Sequence, residues 1–194
     1  MKEGNNPNRK MMVMFLLALL VVWTIIIACF LLMASGQANI SIKSFAVDSA
    51  GNLYVGVSRK ILVYSDGNLI RSFSSKTSRD FVFTITEDDI ILLTTSSRQY
   101  VMDLHGNVLN YGDKYIGAEY PELQDDRTLL ELPNGDRYAI KDTLGWTRIV
   151  KNNTTVVYQI SALSFLVKML LYFAVISFLI FLSRLFKKLP LQTS

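Results

Sequence analysis

Two long apolar stretches enclose a middle region in which short apolar runs alternate with polar turns. Residues 11–34 contain no charged side chain, and residues 161–183 contain one, Lys168. A helix of about 20 apolar residues crosses the ~30 Å hydrocarbon core of a bilayer. The pattern therefore predicts transmembrane helices at 11–34 and 161–183, around a domain at 35–160. A cleaved signal peptide is the alternative for the first stretch, although the apolar part of a signal peptide usually runs only about 7–15 residues.

The charges beside the two apolar stretches predict the orientation. The tail at residues 1–10 has three basic residues and one acidic residue, and the tail at 184–194 has three basic residues and no acidic one. Short segments rich in Lys and Arg stay on the cytoplasmic side of a membrane. We therefore expect a protein of the plasma membrane with both tails cytoplasmic and residues 35–160 extracytoplasmic.

Lys168 is the one charged residue in the second apolar stretch. If the cytoplasmic boundary is at Arg184, the helical rise places Lys168 about 24 Å above it, close to the opposite edge of the hydrocarbon core. From there the side chain reaches the membrane surface by snorkelling. The alternative is an intramembrane salt bridge from Lys168 to an acidic residue on a partner helix.

The middle region repeats a unit of four predicted β-strands. Short runs rich in β-branched and aromatic residues alternate with turns that contain Gly, Asn or Asp. Gly67 and Gly106 are 39 residues apart, and residues 51–55 match residues 135–139 at a spacing of 84. A four-stranded unit that recurs at about 40–45 residues is typical of a β-propeller blade. The predicted blades cover about 41–74, 79–112 and 127–160. A three-hairpin sandwich or meander is the alternative.

Residues 45–55, with the sequence Phe-Ala-Val-Asp-Ser-Ala-Gly-Asn-Leu-Tyr-Val, resemble a blade of the NHL-type propellers and their lactonase-like relatives. The resemblance is looser in the other two copies. The resemblance implies a β-propeller-like domain, and together with the two apolar stretches it predicts a membrane-anchored, mainly β protein in which two transmembrane α-helices flank a three-repeat, β-propeller-like extracytoplasmic domain. In lactonase-type propellers, Glu, Asp and Asn side chains hold a divalent metal in the central channel, but no matching set can be placed in this sequence.

Three blades are fewer than a propeller usually has. Propellers close with typically four to eight blades, and an open stack would expose apolar surface at its ends. Two copies of the chain could close a six-bladed ring, and a membrane-protein partner that supplies the missing blades would serve equally well. We therefore expect a homodimer or a hetero-partner.

Charge and cysteine content narrow the function classes. The tails and Lys168 supply more than the whole net charge of +4, so the middle region is slightly acidic. Binding to nucleic acid calls for a basic face on the domain itself, so it is not expected. The single cysteine, Cys29, lies in the first apolar stretch, so the domain has no disulfide framework or thiolate metal site, which favours a bacterial source.

The sequence shows no set of residues that predicts catalysis or a cofactor. The lone histidine, His105, occupies a turn and has no second histidine or cysteine as a partner in the domain. The acidic residues at 87–89 and 125–126 also fall where turns are predicted, a position that Asp favours for local reasons. No Gly-x-Ser-x-Gly nucleophile motif is present. These patterns predict no catalytic, cofactor or metal site.

The function that fits best is a non-enzymatic, membrane-anchored extracytoplasmic binding or interaction module. Such a module would be an accessory or sensory subunit of a membrane protein assembly, with a small-molecule ligand that the sequence does not identify. One alternative is a metal-dependent lactonase-like hydrolase formed when a dimer completes a six-bladed propeller. The other is a structural spacer.

Overall fold

The computed structural model describes residues 7–77, 80–113 and 128–188. Residues 1–6 and 189–194 of the predicted tails and the acidic pair at 125–126 lie outside these ranges. The chain forms two units. One contains the helices, and the other, residues 39–162, contains the strands.

Helix α1 covers Pro7–Ala34 and helix α2 covers Ala162–Lys188. Both extend beyond the predicted apolar spans into the basic flanks. Among the described residues, one segment is long and apolar enough to cross a membrane by length and composition, Ala162–Ile180 within α2. The apolar segment described in α1 is shorter, Leu19–Ala34. Two transmembrane helices therefore stay a prediction.

The strand unit consists of three antiparallel four-stranded sheets, as the repeat pattern predicts. In each sheet the strands pair in the order in which they follow along the chain, which is the arrangement within a propeller blade. Blade 1 contains β1 (Ile42–Val47), β2 (Leu53–Val57), β3 (Lys60–Ser65) and β4 (Asn68–Ser74). Blade 2 contains β5 (Phe81–Ile85), β6 (Ile91–Thr95), β7 (Arg98–Met102) and β8 (Val108–Asp113). Blade 3 contains β9 (Leu129–Glu131), β10 (Arg137–Thr143), β11 (Trp146–Lys151) and β12 (Thr155–Gln159).

One face of blade 1 packs against blade 2 through a shared apolar core. The core residues all lie on strands and are almost fully buried, and Phe81 and Phe83 of β5 stack against each other with ring centroids 6.4 Å apart. Gly56 of β2 allows the close approach, because a Cβ at this position would lie 2.9 Å from a Phe81 ring carbon and 3.0 Å from one of Phe83. The Ser44 hydroxyl joins the same two sheets, since it donates to the Phe83 carbonyl at 3.0 Å and accepts from the Phe83 N–H at 3.2 Å.

The opposite face of blade 1 contacts blade 3. Leu53 and Tyr64 are cross-strand partners on this face, and the Tyr64 ring meets the Tyr158 ring of β12 edge-on with centroids 5.4 Å apart. Blade 1 therefore has a neighbour on both faces, which explains why every residue of β2 is buried. In a stack that followed the order of the chain, blades 1 and 3 would be the two exposed ends. In the structure blade 1 instead lies between blades 2 and 3. Closure of a ring by two copies of the chain stays a prediction.

Each blade carries a bulge at the same place, between its third and fourth strands. The ladder skips Ile70 in β4, Leu109 in β8 and Val157 in β12. Ile70 and Val157 are the third residues of their strands, and Leu109 is the second residue of its strand. The three blades therefore share a β-bulge as well as the order of their strands. A bulge increases the local twist of a strand, so each fourth strand twists relative to the third at the same place.

Candidate binding cavity at the blade turns

The turns between the first and second strands of the three blades have the same backbone structure. In blade 1, the Asp48 N–H donates to the Asn52 carbonyl at 3.1 Å, and the Gly51 N–H donates to the Asp48 carbonyl at 3.0 Å. The corresponding donors are Thr86 and Asp89 in blade 2, and Leu132 and Gly135 in blade 3.

The fourth residue of each of these turns has a left-handed backbone. The φ angles are 85° at Gly51, 57° at Asp89 and 87° at Gly135. Gly and Asp are among the residue types that tolerate this region, so a local rule of the sequence produces the same turn three times.

These three turns line one cavity of about 560 Å³. Blade 1 contributes Asp48, Ser49 and Gly51, and blade 2 contributes Thr86 and Glu87. The remaining lining residues are aliphatic side chains from all three blades and a polar and aromatic group from blade 3, namely Val47, Ile85, Leu132, Pro133, Asn134, Asp136, Tyr138 and Lys151. The cavity opens to solvent, and its apolar walls carry a few polar groups.

The blade 3 side of the cavity is organised around Asp136. Its Oδ2 accepts from Lys151 Nζ at 2.7 Å, and its Oδ1 accepts from Asn152 Nδ2 at 3.0 Å. Hydrogen bonding to Lys151 lowers the pKa of the Asp136 carboxyl, and the same bond raises the pKa of Lys151. Lys151 Nζ also lies 5.5 Å from the centroid of the Tyr138 ring. A paired cation is therefore held beside an aromatic wall.

The blade 1 and blade 2 side is fixed by a link between two turns. Asp89 accepts from the Ser49 hydroxyl at 2.6 Å and from the Ser49 N–H at 3.0 Å. The hydroxyl bond, followed by the backbone bond, holds the pKa of Asp89 below its usual range. Asp48 accepts from the Asn52 N–H at 2.7 Å, and burial together with the Asp48 carboxylate raises the pKa of Tyr54. These two carboxylates thus shape the turns.

The residues singled out in the sequence have local roles in the structure. His105 is exposed in a turn, where its backbone N–H donates to Asp103 Oδ1 at 2.8 Å. Desolvation acts to raise the pKa of Asp103, but hydrogen bonds from Asn107 and His105 outweigh it and hold that pKa low. Lys168 is half-buried in α2 and makes a polar or electrostatic contact there. Its role as a contact to a partner helix stays a prediction.

Among residues 7–77, 80–113 and 128–188, no three His, Cys, Asp or Glu side chains come together as a set of metal ligands. The turns that form the cavity were visible in the sequence as the match between residues 51–55 and 135–139, but their convergence was not.

Comparisons with known proteins give a likeness of shape and no sequence relative. No protein-family model matches the chain, and no curated protein matches it. Solved structures with a partial likeness include a protein of unknown function from Bacteroides caccae, at 10% identity, covering 61% of this chain and 45% of that one, with a TM-score of 0.31. The WD40 β-propeller domain of Doa1 is 17% identical, with 62% and 40% covered and a TM-score of 0.34.

Streptogramin B lyase is similar at 15% identity, with 62% of this chain and 40% of the lyase covered and a TM-score of 0.32. The chain spans less than half the length of each of these three proteins. At this level of similarity the description of the fold depends on the three sheets themselves, and no property of these proteins is transferred to this chain.

Proposed function

We propose that this protein is a non-enzymatic binding module of the plasma membrane. In this proposal α1 and α2 anchor the chain, both tails are cytoplasmic, and the β domain lies outside the cytoplasm as an accessory or sensory subunit of a membrane assembly. The observation that carries the proposal is the cavity lined by equivalent turns of all three blades. Loops held on a rigid sheet scaffold are common positions for binding residues.

The contacts around the cavity favour binding over catalysis. The carboxylates of Asp48 and Asp89 accept hydrogen bonds from residues of the blade turns, and that of Asp136 accepts from Lys151 and Asn152, so all three are engaged in holding the structure around the cavity. The other side chains that line the cavity include an aromatic ring, several aliphatic groups, the paired ammonium of Lys151 and the exposed carboxylate of Glu87. Such a surface suits a small molecule with an apolar body and a few polar groups.

The anchoring part of the proposal is supported by the apolar sequences and the basic tails. Ala162–Ile180 is long enough to span a bilayer, and both tails carry an excess of Lys and Arg. The test is reconstitution of the full chain into closed lipid vesicles, followed by protease digestion from outside. In vesicles that enclose the β domain, we expect the domain to be protected while both tails are cleaved. In vesicles of the opposite orientation, we expect the domain to be cleaved while both tails are protected.

Binding at the cavity can be tested with two variants of one turn. Glu87 and Asp88 are adjacent, exposed and acidic, but only Glu87 lines the cavity. The probes are small neutral, cationic and anionic aromatic compounds, whose contact with the full chain in detergent is followed by saturation-transfer NMR. Compounds that bind are expected to lose contact in E87W and to retain it in D88W. Binding that survives E87W, or no binding by any of the three classes, would overturn the proposed site.

A partner is tested by the mass of the full chain in mild detergent, measured by light scattering. A dimer supports closure by two copies. A monomer that co-purifies with another membrane protein from its source supports the role of accessory subunit. A monomer that binds neither a second copy nor another protein contradicts the assembly part of the proposal.

A further inference from the structure

The hairpin between β10 and β11 has an unusual tip. Two residues, Leu144 and Gly145, connect the strands, with φ angles of 51° and 85°. Two-residue turns of this kind need positive φ at both positions, and Asn, Asp and Gly are preferred there. A leucine gains no local hydrogen bond from this conformation, and Leu144 is 88% exposed, so it gains no burial either.

The tip is held firmly by its own strand. Asp142 Oδ1 accepts from the Gly145 N–H at 3.1 Å, and Asp142 Oδ2 accepts from the Thr147 hydroxyl at 2.9 Å. Thr143 and Trp146 form the last cross-strand pair before the turn. Backbone strain of this kind is found at functional sites. Because Leu144 contributes nothing evident to the stability of the domain, we look for its role in a contact outside the domain.

The charges behind the tip indicate what it contacts. Lys141 and Arg148 are direct cross-strand partners, so two positive side chains share one face of the hairpin. Like charges placed opposite each other destabilise a sheet unless an anion lies nearby. Trp146 follows on the same face, between this basic pair and the tip. An apolar tip, then an aromatic residue, then basic residues is the order that suits a lipid interface with anionic headgroups.

The chain sets an upper limit on the distance between the tip and Ala162, the first residue of α2. The Ile160 N–H donates to the Thr147 carbonyl at 3.1 Å, so Ile160 lies beside Thr147. Leu144 precedes Thr147 by three residues, and Ala162, the first residue of α2, follows Ile160 by two. At ~3.6 Å or less per residue, these links keep Leu144 within roughly 25 Å of the first residue of α2.

We infer that the Leu144 tip inserts into the surface of an anionic bilayer, with the exposed Lys141 facing lipid phosphates and the half-buried Arg148, whose Nε is inaccessible to solvent, adding positive charge beside it. This inference rests on the proposed anchoring of α2, because the anchor would limit how far from the bilayer the tip can lie. It assigns a second contact with the membrane to the β domain, separate from the cavity at the blade turns. Insertion of one leucine is weak by itself, and the anchor makes it effective by keeping the tip at high local concentration.

The test uses the fluorescence of Trp146 in the full chain. The chain has two tryptophans, so W23F leaves Trp146 as the only one. W23F is reconstituted into nanodiscs of phosphatidylcholine and phosphatidylglycerol whose acyl chains are brominated near the headgroup. Quenching of Trp146 is expected, together with a loss of most of that quenching when Leu144→Asn is added. Nanodiscs of phosphatidylcholine alone are expected to quench less.

Leu109→Asn is the matched control, because Leu109 is also an exposed leucine, 57% accessible, but belongs to β8 of blade 2 and not to the β10–β11 hairpin. It should leave the quenching unchanged. A chain that elutes with the nanodiscs but shows no quenching of Trp146, or equal quenching after Leu144→Asn, overturns lipid insertion and indicates a protein contact for the tip. A chain that does not elute with nanodiscs overturns the anchoring proposal, and this inference with it.

Discussion

Gly56→Ala is the substitution that most directly tests the packing of blade 1 against blade 2. The new methyl group would lie 2.9 Å and 3.2 Å from two carbons of the Phe81 ring and 3.0 Å from one of Phe83, where ordinary contacts are 3.4–4 Å. The rings cannot retreat easily, because both are almost fully buried in the shared core. Overpacking of this kind costs about 1–3 kcal/mol, and the reduced freedom of the unfolded chain returns about 0.4–1 kcal/mol.

The net expectation is a loss of about 1–2 kcal/mol in the free energy of unfolding. The assay is amide hydrogen exchange of the full chain in detergent, followed by mass spectrometry on peptides that contain β2 and β5. A loss of this size corresponds to roughly tenfold faster exchange. Ser72→Ala, an exposed change in the same sheet, should leave the exchange rates unchanged.

Adding Phe81→Leu tests whether a steric clash causes the loss of stability expected in Gly56→Ala. It shortens the side chain that the new methyl group at position 56 would meet, so it should cost less stability in the Gly56→Ala protein than in the original chain. If Gly56→Ala leaves exchange unchanged or slower, or if the two substitutions are simply additive, the close contact between the sheets is not what stabilises this interface.

Three further outcomes are expected from the structure. Leu144→Asn should raise the free energy of unfolding by about 1 kcal/mol in urea titrations, because Asn tolerates the left-handed backbone that Leu does not. The Lys151 bond lowers the pKa of Asp136, so the stabilisation it gives is present above the unfolded carboxyl pKa of roughly 4 and is lost as the pH falls through the lower native value. Asp136→Asn should therefore flatten the acid side of the stability profile, measured by unfolding between neutral and acidic pH. Leucine substitutions of Tyr64 and Tyr158, alone and together, should show a coupling of about 1 kcal/mol for the ring contact, and a coupling near zero would contradict that contact.

The sequence predicted the parts of the fold that local rules determine. The hairpins of blades 1 and 2 are encoded by Gly, Asn and Asp at turns, and β2 occupies residues 53–57, a short run that directly follows the turn at Gly51 and Asn52. The end of β10 was not anticipated, because Lys141 and Asp142 look like loop residues. In the structure they pair with Arg148 and Thr147, and the two Asp142 hydrogen bonds extend the hairpin to its tip.

Contacts between blades could not be predicted from the repeat alone. Tyr64 and Tyr158 are far apart in sequence, and neither the spacing of the turns nor strand propensity indicates that blade 3 lies against blade 1. The cavity has the same origin, since it exists only because three separate turns converge. Predicting it requires the packing of whole sheets, in which the buried apolar faces of β2 select both neighbours.

The bulge in each outermost strand has a consequence for how crowded copies of the protein behave. β4 and β8 expose apolar side chains at Leu69, Ile70 and Leu109, which on a flat strand would attract the edge of another sheet. The skipped residues at Ile70, Leu109 and Val157 interrupt the regular row of donors and acceptors that such pairing requires. The bulges therefore make these three strands poorer templates for the edge of another sheet than their exposed apolar residues alone would suggest.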